Sequence, residues 1–177
     1  RPKDAMNNGI GMITEDRRGN GIFGCLSIKD NVGVSIYNKF LKAGIMLDHP
    51  AINKVVNDNI KRLSIKTPGM KEQIGNLSGG NQQKVIIARE VENDKSLLIA
   101  FNPTRGLDVG AIEFVHKYLV EQRNKGRGIL LISFELEEVM GLSDRIGVIF
   151  SGNIQKSFAG NEADEYTLGL YMAGGKE

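Results

Sequence analysis

The sequence predicts an α/β protein built on a mostly parallel sheet, with a helix-rich region ahead of it. Three observations point there. From Ser96 onward, short apolar runs alternate with amphipathic stretches, the pattern of strands joined by helical crossovers. Those runs are apolar throughout, as strands covered on both faces are. Between about residues 28 and 91 the apolar residues instead recur every three or four positions, as Ile52, Val55, Val56, Ile60 and Leu63 do.

The elements follow in order. Leu97–Phe101 reads as a strand ended by Asn102-Pro103. Asp108 is placed to cap a helix whose Ile112, Val115 and Leu119 share one face. The glycines at 126 and 128 close that helix, and residues 129–132 form a second apolar strand. Residues 135–142 read as a helix and 146–150 as a third strand. Ser151-Gly152-Asn153 turns the chain into 154–158 as a hairpin, and a last helix occupies about 164–172.

Composition narrows the function classes. At 177 residues, 41% hydrophobic and 25% charged, the chain can bury roughly 70% of its unfolded surface without disulfide staples. Cys25 is the single cysteine and has no internal partner, which suits a reducing compartment. No apolar run nears the ~18–20 residues of a membrane span, and no charged-then-apolar leader opens the chain. A net charge of +2 is too small to suggest nucleic acid as a partner.

The most informative stretch is Leu77-Ser78-Gly79-Gly80-Asn81-Gln82-Gln83-Lys84, followed by Val85, Ile86, Ile87 and Ala88. Physically it is a Ser-Gly-Gly loop feeding an amphipathic helix. Two glycines admit a ligand close to the backbone, and a helix N-terminus offers free N–H groups to phosphate. Next comes Leu97-Leu98-Ile99-Ala100-Phe101-Asn102-Pro103-Thr104-Arg105-Gly106-Leu107-Asp108, and later Ile132-Ser133-Phe134-Glu135. This order resembles the nucleotide-binding subunits of ABC transporters: signature loop, Walker B strand, D-loop, switch strand. The LSGGNQQK and PTRGLDVGA forms are similar to the tandem ATPases of simple-sugar and nucleoside importers. Glu15-Asp16-Arg17-Arg18-Gly19-Asn20-Gly21 matches the second half of such proteins.

That resemblance implies a P-loop NTPase-like partial core with a parallel sheet and a helical signature subdomain. Residues 1–95 would hold the Q-loop-like region and the helical subdomain, and 96–177 the C-terminal part of the core. It also implies roles. Ser78, Gly79, Gly80 and Gln82 would meet the nucleotide of the partner half in trans. Asp108 would sit at the D-loop interface, and Glu15, Asp16 and Arg17 could couple to the membrane subunit. ATP and Mg²⁺ would serve the full-length subunit, with none expected bound to this fragment. The implied partners are an N-terminal ATPase half, integral membrane permeases and a solute-binding protein, at the cytoplasmic face of the membrane. Self-association of the fragment is a further expectation.

Departures from the family pattern are as informative. No P-loop is present: Gly19-Asn20-Gly21-Ile22-Phe23-Gly24 follows a charge cluster, and the tail Gly174-Gly175-Lys176-Glu177 lacks the earlier glycine and the Ser or Thr. Phe101-Asn102 stands where the family has Asp-Glu, and Phe134 replaces the switch histidine. Glu15 takes the place of the Q-loop glutamine. A neutral amide and a phenyl ring neither hold Mg²⁺ nor accept a proton, so no catalytic or metal-binding residue is expected in this half. Its own site, and the isolated chain, should not hydrolyse ATP. The family's P-loop strand would lie between the strands near 130 and 148. Without it the sheet should rearrange, close the slot with another strand, or pair with another copy. Nucleosides are favoured as solute over galactose or other simple sugars. The rival reading, a soluble ABC-type ATPase of DNA repair or translation, lacks the long arms or the intact Walker B acids it would need.

Overall fold

Four helix starts in this chain are fixed by side-chain caps, and strand order by a long-range parallel pairing. The computed structural model describes residues 1–42, 44–92, 95–160 and 162–175; the tail pair 176–177 considered above lies outside them. The chain divides into two units, Arg1–Leu130 and Leu131–Glu177.

In the first unit, α1 (Pro2–Asn7) leads into β1 (Ile10–Ile13). The helical part follows: α2 (Ile28–Gly33), the small antiparallel pair β2 (Leu41–Lys42) and β3 (Met46–Leu47), α3 (His49–Arg62) and α4 (Gly79–Val91). The chain then runs through β4 (Leu97–Phe101) and α5 (Val109–Asn124) into β5 (Gly128–Ile132). The oxygen of Ser27 accepts from Asp30 N, that of Asp48 from Ala51 N and that of Asp108 from Ala111 N, each satisfying a helix-start donor. Ile52, Val56 and Leu63 of the predicted periodic stretch are buried, while Val55 and Ile60 are half-buried. Asn59 shares the buried face; its amide donates to the Val55 carbonyl and to Glu92.

β1 was not foreseen from the sequence, because Gly9 and Gly11 interrupt its apolar pattern. It pairs parallel with β4, Ile10 opposite Leu97 through Ile13 opposite Ala100. Gly11 is required by space: a Cβ there would stand 3.0 Å from Glu90 Oε2 and 3.2 Å from Lys95 Cγ. β5 takes the other side of β4, giving the order β1-β4-β5. Ile13, Ala100 and Leu98 of the sheet and Ile86, Ile87 and Ala88 of α4 are all buried, and α4 packs on both β1 and α2.

The second unit contains α6 (Leu136–Leu142), β6 (Arg145–Phe150), β7 (Asn153–Ala159) and α7 (Glu165–Met172). The predicted hairpin forms, but its turn is two residues rather than three: φ is positive at Ser151 (47°) and Gly152 (77°), and Asn153 already pairs with Phe150 as the first residue of β7. One face of the hairpin packs Ile146, Val148 and Phe158 against Leu168 and Tyr171 of α7. The Phe158 and Tyr171 rings meet edge to face at 5.6 Å. Asp164 caps α7 by accepting from Thr167 N at 2.7 Å.

Pairing among the described residues falls into three sheets: β1-β4-β5, β2-β3 and β6-β7. The side of β5 away from β4 therefore has no ladder partner among the described residues, and Leu130 and Ile132 are 48% and 41% exposed. Among those residues no helix is long and apolar enough to cross a membrane.

Candidate functional site

The site grows from the start of α4. Gln73-Ile74-Gly75-Asn76-Leu77 ends in a short 3₁₀ turn that delivers extended backbone at Leu77 and Ser78 before the helix begins. Gln82 is 2% exposed, and its amide donates to the Ile74 (3.3 Å) and Leu77 (3.1 Å) carbonyls. Its side chain is thus spent on holding the loop. Ser78 stands at the N-cap but makes no capping bond to the helix. Its Oγ instead accepts from Asn81 Nδ2 at 2.9 Å, and Asn81 Oδ1 accepts from Lys66 N at 2.8 Å. The N–H groups of Gly79, Gly80 and Asn81 have no acceptor among the described residues. An exposed hydroxyl and three free N–H groups at a thirteen-residue helix start form a surface suited to phosphate oxygens.

Gly80 is tightly approached, and Gly79 has neighbours at ordinary contact distance. A Cβ on Gly80 would lie 2.9 Å from the Ala111 Cβ and 3.7 Å from Asp108 Oδ2. One on Gly79 would lie 3.5 Å from Arg17 Nη2 and 4.0 Å from the Gly106 carbonyl. The loop therefore abuts the D-loop-like turn and the start of α5. Asp108 Oδ1 accepts from Ala111 N at 2.9 Å. Asp108→Ala is expected to lower stability by about 1 kcal/mol, the usual worth of an N-cap, and Asp108→Asn to retain most of it. Thermal midpoints of the two variants give the comparison.

Behind the loop, β1 and β4 deliver a second cluster. Their register places Ile13 opposite Ala100, so Glu15 and Asn102 emerge side by side two residues later. Asn102 is 5% exposed with φ of 40°, a left-handed conformation that asparagine tolerates better than most residues. Its Nδ2 donates to Glu15 Oε2 at 2.9 Å, and Glu15 Oε1 pairs with Arg105 Nη1. Arg17 Nη1 donates to the Arg105 carbonyl at 2.5 Å. Partial burial, with Arg18 beside it, lowers the Arg17 pKa. Lys84 is lowered for the same first reason, and then by Lys66; it sits 4.6 Å over the Phe114 ring. Asp16 is occupied locally, accepting from Gly19 N and Asn20 Nδ2 in the helical turn that follows it. The structure thus brings Ser78, Gly79, Gly80, Asp108, Glu15 and Arg17 into one neighbourhood. Phe134 belongs to the second unit, where it is 72% exposed.

Two residues of this cluster were missed by sequence reasoning. Gln83 is 1% exposed and donates to the Pro103 carbonyl at 2.8 Å, tying α4 to the turn after β4. Arg105, whose sequence context fits an interface residue and a solvated charge equally, pairs with Glu15. Only the strand register brings Arg105 to Glu15, and β1 was the unrecognised strand.

Phosphate fits the α4 start, but Mg²⁺ does not fit the end of β4. Phe101 has no donor atom, and the Asn102 amide is directed at Glu15, whose two oxygens are both engaged. Among the described residues no group of three His, Cys, Asp or Glu could hold a metal ion.

The chain is 48% identical over 174 residues to the guanosine import ATP-binding protein NupO of Bacillus subtilis, across 98% of this chain and 34% of NupO. It is 40% identical over 177 residues to the nucleoside import ATP-binding protein NupA of Lactococcus lactis, across 99% of this chain and 35% of NupA. The chain belongs to the ATP-binding cassette family. Among solved structures, a nucleotide-free ATP-binding cassette from an ABC transporter aligns with a TM-score of 0.74 at 20% identity, over 97% of this chain and 71% of that one. The dimeric post-hydrolysis state of the cassette MJ0796 bound to ADP and Pi gives 0.72 at 20% identity, over 86% and 63%. These likenesses show the cassette fold with its parallel sheet. No family model matches the chain. This ABC chain spans about a third of the length of the curated relatives it matches.

Proposed function

We propose that this chain is part of the ATP-binding subunit of an importer that couples ATP binding and hydrolysis to nucleoside uptake. Within that subunit, residues 1–95 carry the signature and 96–177 complete the C-terminal part of the core. The chain lends its signature loop to an ATP site built mainly by another cassette half, and its own site is non-hydrolytic. The observation that carries this reading is the open start of α4, where an exposed Ser78 hydroxyl and three unpartnered N–H groups coexist with a β4 end that has no carboxylate.

ATP, when bound, supplies the γ-phosphoryl group; this chain's residues position and neutralise it. Ser78 can donate its O–H because its oxygen accepts from Asn81, which also fixes its rotamer. Gly79 and Gly80 present bare backbone N–H groups with no side chain in the way. Gln82 keeps the preceding turn in place from inside. Asp108 holds the start of α5 beside Gly80. Charge on the transferring group is thereby met by fixed dipoles rather than by a proton carrier.

The names of the relatives favour guanosine and other nucleosides as the solute. Permease subunits, a solute-binding protein and an N-terminal cassette half are the partners this reading requires, with the subunit peripheral at the cytoplasmic face. The test is uptake into vesicles carrying the full-length subunit and its permeases. Labelled guanosine should enter in an ATP-dependent manner and galactose should not. The 177-residue chain alone should show no ATP turnover above a protein-free blank. Galactose uptake would overturn the solute assignment, and Mg²⁺-dependent turnover by the chain alone would overturn the non-hydrolytic reading.

A further inference from the structure

The Glu15 cluster links three segments far apart in sequence. Glu15 follows β1, Asn102 and Arg105 follow β4, and Gly79 opens α4. Glu15 is held on two sides, by the Asn102 amide and the Arg105 guanidinium. Arg105 in turn offers its carbonyl to Arg17, whose other guanidinium nitrogen lies against Gly79 and, 3.6 Å from where its Cβ would be, against Gly106. Arg105 is 69% exposed along its side chain, so its ion pair adds little by Coulomb attraction alone. Its consequence is positional. Asn102 makes the arrangement possible: a carboxylate there would face the Glu15 carboxylate at hydrogen-bond distance, whereas the amide donates to it.

We propose that Glu15 is a positioning residue for the signature loop: held by Asn102, it anchors Arg105, and through Arg17 that anchor sets Gly106 and Gly79 against each other. Acid and amide form a matched pair across adjacent strand ends, so their identities are exchangeable together but not singly. The latch rests on the proposed role of the signature loop for its importance, but its geometry does not depend on that role. Both oxygens of Glu15 are engaged by protein groups, which makes it a structural anchor rather than a ligand for a cation.

Hydrogen exchange on the nucleotide-free full-length subunit tests this directly. Glu15→Gln should speed exchange of the hydrogen-bonded amides of Leu77, Gln82, Arg105 and Leu107 by about tenfold, the worth of a hydrogen bond to a charged group, while α3 amides stay unchanged. Asn102→Asp should speed them further, because it sets two carboxylates face to face. The exchanged variant Glu15→Gln/Asn102→Asp should return to within about threefold of the native rates, the non-additivity expected of a contacting pair. If Asn102→Asp alone fails to fold, recovery of the fold in the exchanged variant is the same result. Additive effects, or acceleration spread evenly over the first unit, would overturn the proposal. ATP turnover is not read in this experiment. The latch can therefore fail with the signature role intact, and the signature role can fail with the latch intact.

Discussion

Ser78→Arg in the full-length subunit is expected to cut ATP turnover and solute uptake by at least about 100-fold, the scale of losing one preorganised donor to a transferring group. Ser78 is exposed and makes no capping bond, so the fold should survive with at most about 1 kcal/mol lost. The substitution removes the hydroxyl and leaves Asn81 Nδ2 without its acceptor. It also brings a second guanidinium to a loop that already has Arg17 against Gly79. Phe134→Ala serves as the comparison and should change turnover less than about twofold, because a phenyl ring offers the γ-phosphate no hydrogen bond. The sequence alone would have suggested Asn102→Ala as the silent control. The structure removes that choice, since Asn102 combines a positive φ with a bond to Glu15, and alanine can supply neither comfortably. Equal losses from Ser78→Arg and Phe134→Ala would refute the division of labour.

In the second unit, Gly160→Ala should cost about 3 kcal/mol or more, lowering the thermal midpoint by roughly 6–12 °C. A Cβ at Gly160 would fall 2.1 Å from the Ser143 carbonyl oxygen and 3.2 Å from its carbon. Those atoms are backbone and cannot rotate aside. Gly160 N also donates to the Asp144 carbonyl at 2.9 Å, just beyond the last β6–β7 pair, Arg145 with Ala159. Parting the two segments would lose that bond and disturb the hairpin that packs on α7. Gly141→Ala is the matched opposite. It lies in α6, a Cβ there meets nothing within 4 Å, and alanine should stabilise it by about 0.5 kcal/mol. Calorimetry on both variants should move the midpoint in opposite directions; a downward shift for both would show that glycine flexibility, not space, governs these positions.

Much of the fold could be read from residue patterns because the second half uses unambiguous punctuation. Leu97–Phe101 matches its predicted bounds residue for residue, and Asp108 caps the helix expected of it, while the last helix begins near residue 164 as expected. Short apolar runs bounded by Pro, Gly and Asn leave few alternatives. β1 was hidden because glycines at 9 and 11 break its pattern, yet close packing against Ser96, Glu90 and Lys95 is what calls for them. With β1 unseen, the Glu15–Asn102–Arg105 cluster was invisible too, since it exists only through strand register. The signature loop was legible as a motif, but the inward turn of Gln82 was not. Helical periodicity gives the side of α4 a residue occupies, not whether its amide serves a ligand or the chain's own carbonyls.

The pairing of β1 with β4 also sets a timetable. Glu15 and Asn102, neighbours at the ends of these strands, are 87 positions apart in the chain. On a ribosome adding ~5–20 residues per second, β1 waits several seconds or longer for the partner that gives it a place. The helices α2, α3 and α4 are made of local contacts and can form during that wait. β1 is then seated only after β4 has been made, and the signature loop is finished only at that point.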